Sequence, residues 1–264
     1  MGVDIALDDM PHDRIAEARL SGTVAPKARS EDQQKNEAPL SPPAVAGAAA
    51  PRETNILAPA HSVEQDAREA AASAHNLAEL REQLLRFSGC GLKGTATQLV
   101  FGVGQAGAEV MFVGEAPGAD EDRQGIPFVG RAGQLLDKML ASISLDRDKV
   151  YIANVVPWRP PGNRTPTPLE TAACLPFIRR QIELVAPKFL VCLGAPSAQT
   201  LLGSKEGITR LRGRWFDYLA GDERIKALAM LHPAYLLRQP AQKKLAWQDL
   251  RLLAKEIARL RGQP

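Results

Sequence analysis

The chain has 264 residues, with 33 Lys and Arg against 30 Asp and Glu and 45% hydrophobic residues. That supplies the core of one ordinary globular domain with an appendage and argues against two large domains. A net charge of +3 permits contact with a polyanion without demanding it. No run of about 18 apolar residues is present to cross a bilayer, and the start MGVDIALDDMPHDRIAEARL lacks the basic and apolar regions of a secretory signal. A cytoplasmic, membrane-free, monomeric protein is expected. The three cysteines, Cys90, Cys174 and Cys192, are too few and too scattered for a disulfide framework.

Residues 1–65 read as a disordered Ala/Pro-rich extension, because the stretch 20–62 is nearly free of large apolar side chains and cannot bury enough surface to order itself. The folded domain is placed at 66–264, its first helix anticipated within residues 63–87, where Leu77, Leu80, Leu84 and Leu85 recur at helical spacing before Gly89. Short apolar runs then alternate with helix-period segments. Strands are predicted at 109–114, 149–156, 188–194 and 226–233, and helices at GQLLDKMLASI, PLETAACLPFIRRQIELV, PSAQTLL and KKLAWQDLRLLAKEIARLR. Strands so uniformly apolar need cover on both faces, which predicts an α/β fold: a three-layer α/β/α sandwich around a central four-stranded parallel sheet.

In open parallel sheets ligands bind beyond the carboxyl ends of the strands. The first strand there ends in GEAPGADEDRQGIPFVG, the second in Asn154 followed by VVPWRPPGNRTPTP, and the last in His232-Pro233-Ala234-Tyr235. His12, His61 and His75 all precede the strands, so His232 is the one near-neutral titratable donor in that part of the chain. Each residue alone has an ordinary structural reading: a tight turn at GEAPG, a strand-end cap at Asn154, a core ring at Phe128, a structural histidine at His232. Their joint occurrence at the strand ends of one domain favours a site.

In order and spacing, GEAPG with a following ED, PFVGRAG, NVV with RPPGNR, and HPAYLLR resemble the uracil-DNA glycosylase superfamily, closest to its family 4, over about residues 77–262. The resemblance implies a repair enzyme that removes uracil from single- or double-stranded DNA and leaves an abasic site. Chemistry agrees, since a base inside a duplex must be flipped into a pocket before its bond can be cut. Phe128 is the candidate stacking ring. Asn154 carries both an amide donor and a carbonyl acceptor and can read uracil O4 and N3–H together, a pattern that cytosine reverses. His232 is the donor to the charge developing on O2, and Glu115 the carboxylate that activates or positions water. Family 1 enzymes place a catalytic Asp where this chain has Ala116. Gly114 and Gly118 let the backbone approach the base, and the resemblance gives Glu121 the exclusion of thymine.

For DNA contact the expected groups are Arg159, Asn163 and Arg164 in the loop after the second strand, then Arg210, Arg212 and Arg214, and Tyr235, Leu236 and Arg238 past the histidine, with Leu236 the candidate wedge. Family 4 members hold a four-iron cluster on four cysteines. Here Phe87 and Trp158 stand at two of those positions and only Cys90 and Cys174 remain, so no cofactor and no metal are expected. A relative that becomes covalently trapped on uracil-DNA carries a histidine-containing insertion after the second strand. RPPGNRTPTPLE has no histidine, so turnover is expected. The alternatives are a glycosylase for hypoxanthine, xanthine or mismatched thymine, and a DNA-binding homologue without activity.

Overall fold

The uniformly apolar runs form strands buried along their whole length: β1 (Val110–Gly114), β2 (Val150–Asn154) and β3 (Phe189–Leu193). Alternate side chains serve opposite faces of the sheet. Met111, Val113, Tyr151, Ala153, Leu190 and Cys192 join one core cluster, while Val110, Phe112, Val150, Ile152, Val191 and Leu193 join the other. This two-sided core requires helices on both faces, and they are present. The computed structural model describes residues 60–262, with side chains from residue 63, all within the compact unit Asn55–Pro264.

One face is covered by α1 (Ala60–Ala72), α2 (Leu77–Arg86) and α5 (Pro168–Val185), through Ala67, Ala71, Leu80, Leu84, Phe177, Ile178 and Ile182. The other is covered by α4 (Arg131–Ala141) and α9 (Lys243–Leu260), through Leu136, Leu140, Leu250, Leu253 and Ile257. The three-layer expectation therefore holds. The start of α5 is fixed by Pro168 and by a reciprocal cap in which the Thr167 hydroxyl accepts from the Glu170 amide at 3.2 Å while the Glu170 carboxylate accepts from the Thr167 amide at 2.7 Å.

Two expectations need correction. The sheet has five strands, not four, in the order β2-β1-β3-β5-β4. The additional strand, β4 (Trp215–Ala220), runs antiparallel to β5 (Glu223–Met230), and the two-residue Gly221–Asp222 link closes the hairpin with Gly221 at φ +59°. The helical stretch expected within 63–87 is two helices, because the Asn76 side chain accepts from the Glu79 amide at 2.9 Å and starts α2 afresh. Helix α1 begins at Ala60, inside the stretch read as extension. The reading of residues 1–59 lies outside the described residues.

Short helices lie between the strands: α3 (Ala119–Gln124) after β1, α6 (Ala195–Leu202) after β3, α7 (Ile208–Leu211) before β4, and α8 (Pro233–Arg238) after β5. Because β1, β2, β3 and β5 are mutually parallel, their carboxyl ends share one edge of the sheet.

Candidate active site

A cavity of about 600 Å³ opens at that edge. Glu115, Ala116, Gly118, Glu121, Phe128, Asn154 and His232 line it, together with Asn163, Arg164, Tyr235 and Arg238. Residues separated by more than a hundred positions in the chain thus meet as the strand-end reading anticipates.

Gly114 and Asn154 pair in register at the ends of β1 and β2, and of the two Asn154 lines the cavity while Gly114 packs behind it. A Cβ on Gly114 would fall 2.4 Å from Asn154 Oδ1 and 2.8 Å from Phe128 Cζ, so glycine is what lets the amide and the ring close over the strand end. Asn154 is only 4% exposed, and its Oδ1 is buried without a hydrogen-bond partner. An unpartnered buried carbonyl is costly. A bound molecule offering an N–H would satisfy it.

His232 caps α8, and its Nδ1 accepts from the Ala234 amide at 3.1 Å. A neutral ring whose Nδ1 accepts must carry its proton on Nε2. Removal from water, aided by the charge of Arg238, lowers the His232 pKa to about 4, so the ring is a neutral Nε2–H donor at pH 7. Phe128 lies beside it, ring centroids 5.5 Å apart and planes at 32°.

Glu115 follows β1. Burial raises its pKa, a Thr165 hydrogen bond opposes that shift, and its Oε1 has no partner. Glu115 Oε1 and Asn154 Oδ1 are the buried side-chain oxygens left unsatisfied among the described residues, and both belong to residues lining the cavity. Glu121 is a brace between two loops. Its Oε1 accepts from the amides of Val129 and Gly130 at 2.9 and 2.8 Å, and its Oε2 from Gly118 at 3.1 Å.

The expected DNA contacts divide. Tyr235 and Arg238 stand at the cavity, and Arg210 and Arg214 are exposed, with Arg214 5.4 Å from the Phe216 ring and 3.3 Å from Glu206. Arg159 binds Asn163 Oδ1 at 2.7 Å. Arg164 is held by Glu170 at 2.6 and 2.8 Å, and that pairing lowers the Glu170 pKa to about 2. Two assignments fail. Arg212 pairs at 2.6 Å with Asp249, which is fully buried, and donates to the Leu245 carbonyl at 2.7 Å, so it ties α9 to the sheet instead of facing a phosphate. Leu236 is 1% exposed in the core beside α4 and α9 and cannot act as a wedge. Thr165, Arg147 and Gly133 escaped the sequence reading. Arg147 and Thr165 sit among ordinary loop charges and hydroxyls that carry no local signal.

The sequence model of the uracil DNA glycosylase superfamily matches residues 101–251. The chain belongs to the uracil DNA glycosylase superfamily. It is 43% identical over 169 residues to the type-4 uracil-DNA glycosylase of Archaeoglobus fulgidus, spanning 62% of this chain and 85% of that protein. It is 45% identical over 158 residues to the type-4 uracil-DNA glycosylase of Thermotoga maritima, 60% and 81% of the two chains. With the corresponding enzyme of Sulfurisphaera tokodaii the identity is 40% over 189 residues, 69% and 85%.

The four positions implied as cluster ligands, Phe87, Cys90, Trp158 and Cys174, are all buried in the core cluster on one face of the sheet. Between them they offer two thiols and two aromatic rings. Phe87 packs against Phe177 at 5.0 Å between centroids, and Cys90 shares a hydrogen bond with Cys174 that lowers the Cys90 pKa while raising that of Cys174. Iron–sulfur clusters require a full set of thiolate or imidazole ligands. This donor set does not fit one.

Proposed function

We propose that the cavity receives a uracil flipped out of DNA and that the site hydrolyses its N-glycosidic bond, in keeping with the superfamily's repair activity. The unpartnered Asn154 Oδ1 at the cavity floor carries the reading. With the base stacked on Phe128, uracil N3–H donates to Asn154 Oδ1 and the Asn154 amide donates to O4. Cytosine offers N4 donors and an N3 acceptor and mismatches both. Glu121, fixed by its three amides, fills the space beside C5 and disfavours the thymine methyl.

As the C1′–N1 bond breaks, its electron pair passes to uracil and the charge gathers on O2. His232, kept neutral by its low pKa, donates Nε2–H to that charge and keeps the proton, because a neutral imidazole N–H is a very weak acid. Glu115 Oε1, free of other partners, orients the water that adds to C1′, and the proton that water loses ends on the departing uracil anion, which leaves as neutral uracil. Ala116 lines the cavity without a carboxylate, so Glu115 carries this role alone.

The reading extends to a monomer that acts on single- or double-stranded DNA in the cytoplasm, turns over without a covalent adduct and holds no iron–sulfur cluster. Oligonucleotides bearing uracil, hypoxanthine, xanthine or thymine opposite guanine, scored for abasic sites and for adducts on denaturing gels, test it. Abasic sites at uracil alone are expected. Cleavage at another base instead of uracil would move the assignment to that base, and binding without cleavage would make the protein a non-catalytic homologue. Iron in stoichiometric amount with absorbance near ~400 nm would overturn the metal-free reading.

A further inference from the structure

Phe128 adopts φ +55°, a backbone conformation that bulky residues avoid and that persists only where neighbours enforce it. The enforcement is visible. A Cβ on Gly133 would fall 1.6 Å from the Phe128 carbonyl oxygen, so the absence of a side chain at the start of α4 admits the strained loop. Arg147 then holds it: one guanidinium nitrogen donates to the Phe128 carbonyl, and Nη1 donates to that of Pro127 at 3.2 Å. The guanidinium is fixed in turn by Asp137, 2.6 Å from its Nε. Arg147 does not line the cavity. Its planar fork reaches two successive carbonyls and a carboxylate at once, which a lysine cannot reproduce.

We propose that Arg147 is a positioning residue for base recognition, locking the Phe128 backbone so that its ring stays beside His232 and over Gly114, where the base stacks. The proposal rests on the uracil reading of the cavity. Its test is a double-mutant cycle between Arg147→Ala and Phe128→Ala in the full-length protein, with uracil release measured as KM and kcat, inhibition by free uracil, and thermal melting recorded for each variant. Arg147→Ala alone should weaken inhibition by free uracil and raise KM about tenfold, within the range a base–aromatic stack is worth, with less change in kcat. In the Phe128→Ala background the same substitution should change both by less than about twofold, because the ring it positions is gone. Arg147→Lys should recover only part of the loss, and Asp137→Asn, at a half-exposed site, should show a weaker form of it. If Arg147→Ala does not fold, those two variants complete the cycle. Equal losses in both backgrounds, or wild-type uracil inhibition in Arg147→Ala, would overturn the role of Arg147. A wild-type protein that releases no uracil would instead overturn the reading of the cavity.

Discussion

Gly114→Ala probes the pocket floor with a single methyl group. The added Cβ would stand 2.4 Å from Asn154 Oδ1 and 2.8 Å from Phe128 Cζ, where ordinary contact begins at 3.4 Å. The amide must therefore retreat by about 1 Å, or the ring by somewhat less, and a displacement of that size at reacting groups costs on the order of 100-fold in rate. Overpacking a buried strand end costs about 1–3 kcal/mol of stability, which most domains survive. Single-turnover uracil release with enzyme in excess, paired with a thermal melt, separates the two effects. A folded variant within about threefold of the wild-type rate would refute the claim that Asn154 and Phe128 close over Gly114 to form the recognition floor.

Asn154→Asp replaces the amide donor with a second acceptor and should lower uracil release by about 100-fold or more, measured on the same oligonucleotide, with a fall in melting temperature as well because it buries an unpartnered carboxylate. For His232, burial depresses the pKa from 6.5 to about 4, so the unfolded chain binds the extra proton first as pH falls. Stability should therefore decline between pH 6.5 and about 4 more steeply in the wild type than in His232→Gln, by up to about 3 kcal/mol in denaturant titrations. The rate of uracil release should show no break near pH 6.5, and a break there would contradict the neutral donor. Arg212→Ala should destabilise the fold by about 3–5 kcal/mol by stranding buried Asp249, and Leu236→Ala by about 2–5 kcal/mol by opening a core cavity. For both, urea titration should reveal a loss larger than any change in DNA affinity measured below the unfolding transition.

The layers of the fold were legible because β1, β2 and β3 are apolar on both faces, and only a sheet covered by helices buries such strands. Strand β4 was not, because Trp215–Ala220 mixes half-buried aromatics with Asp217 and sits at the sheet edge beside an arginine-rich loop. The Gly221–Asp222 link was the available sign of a hairpin. The catalytic side chains were legible because parallel topology sends the strand ends to one edge, which puts Asn154 and His232 on the lining of one cavity although 78 positions separate them in the sequence. Burial was harder to read. Arg212 and Leu236 look like surface groups in their loops, and only the packing of α9 across that face turns one into a buried ion pair and the other into core. Arg147 gave no sign at all, since the contacts that matter run to backbone carbonyls of a loop whose conformation follows from Gly133, and its pairing with Asp137 joins two ordinary surface charges.

The most direct measurement is free uracil itself, quantified by chromatography after the wild-type protein and His232→Ala are each held in excess over a uracil-containing oligonucleotide. The wild type should release one uracil per strand and leave an abasic site. His232→Ala should fold normally and release uracil about 100- to 1,000-fold more slowly, the weight of a lost oxyanion donor. A wild type that leaves the base in place, or a histidine variant that matches its rate, would contradict the chemistry assigned to this cavity.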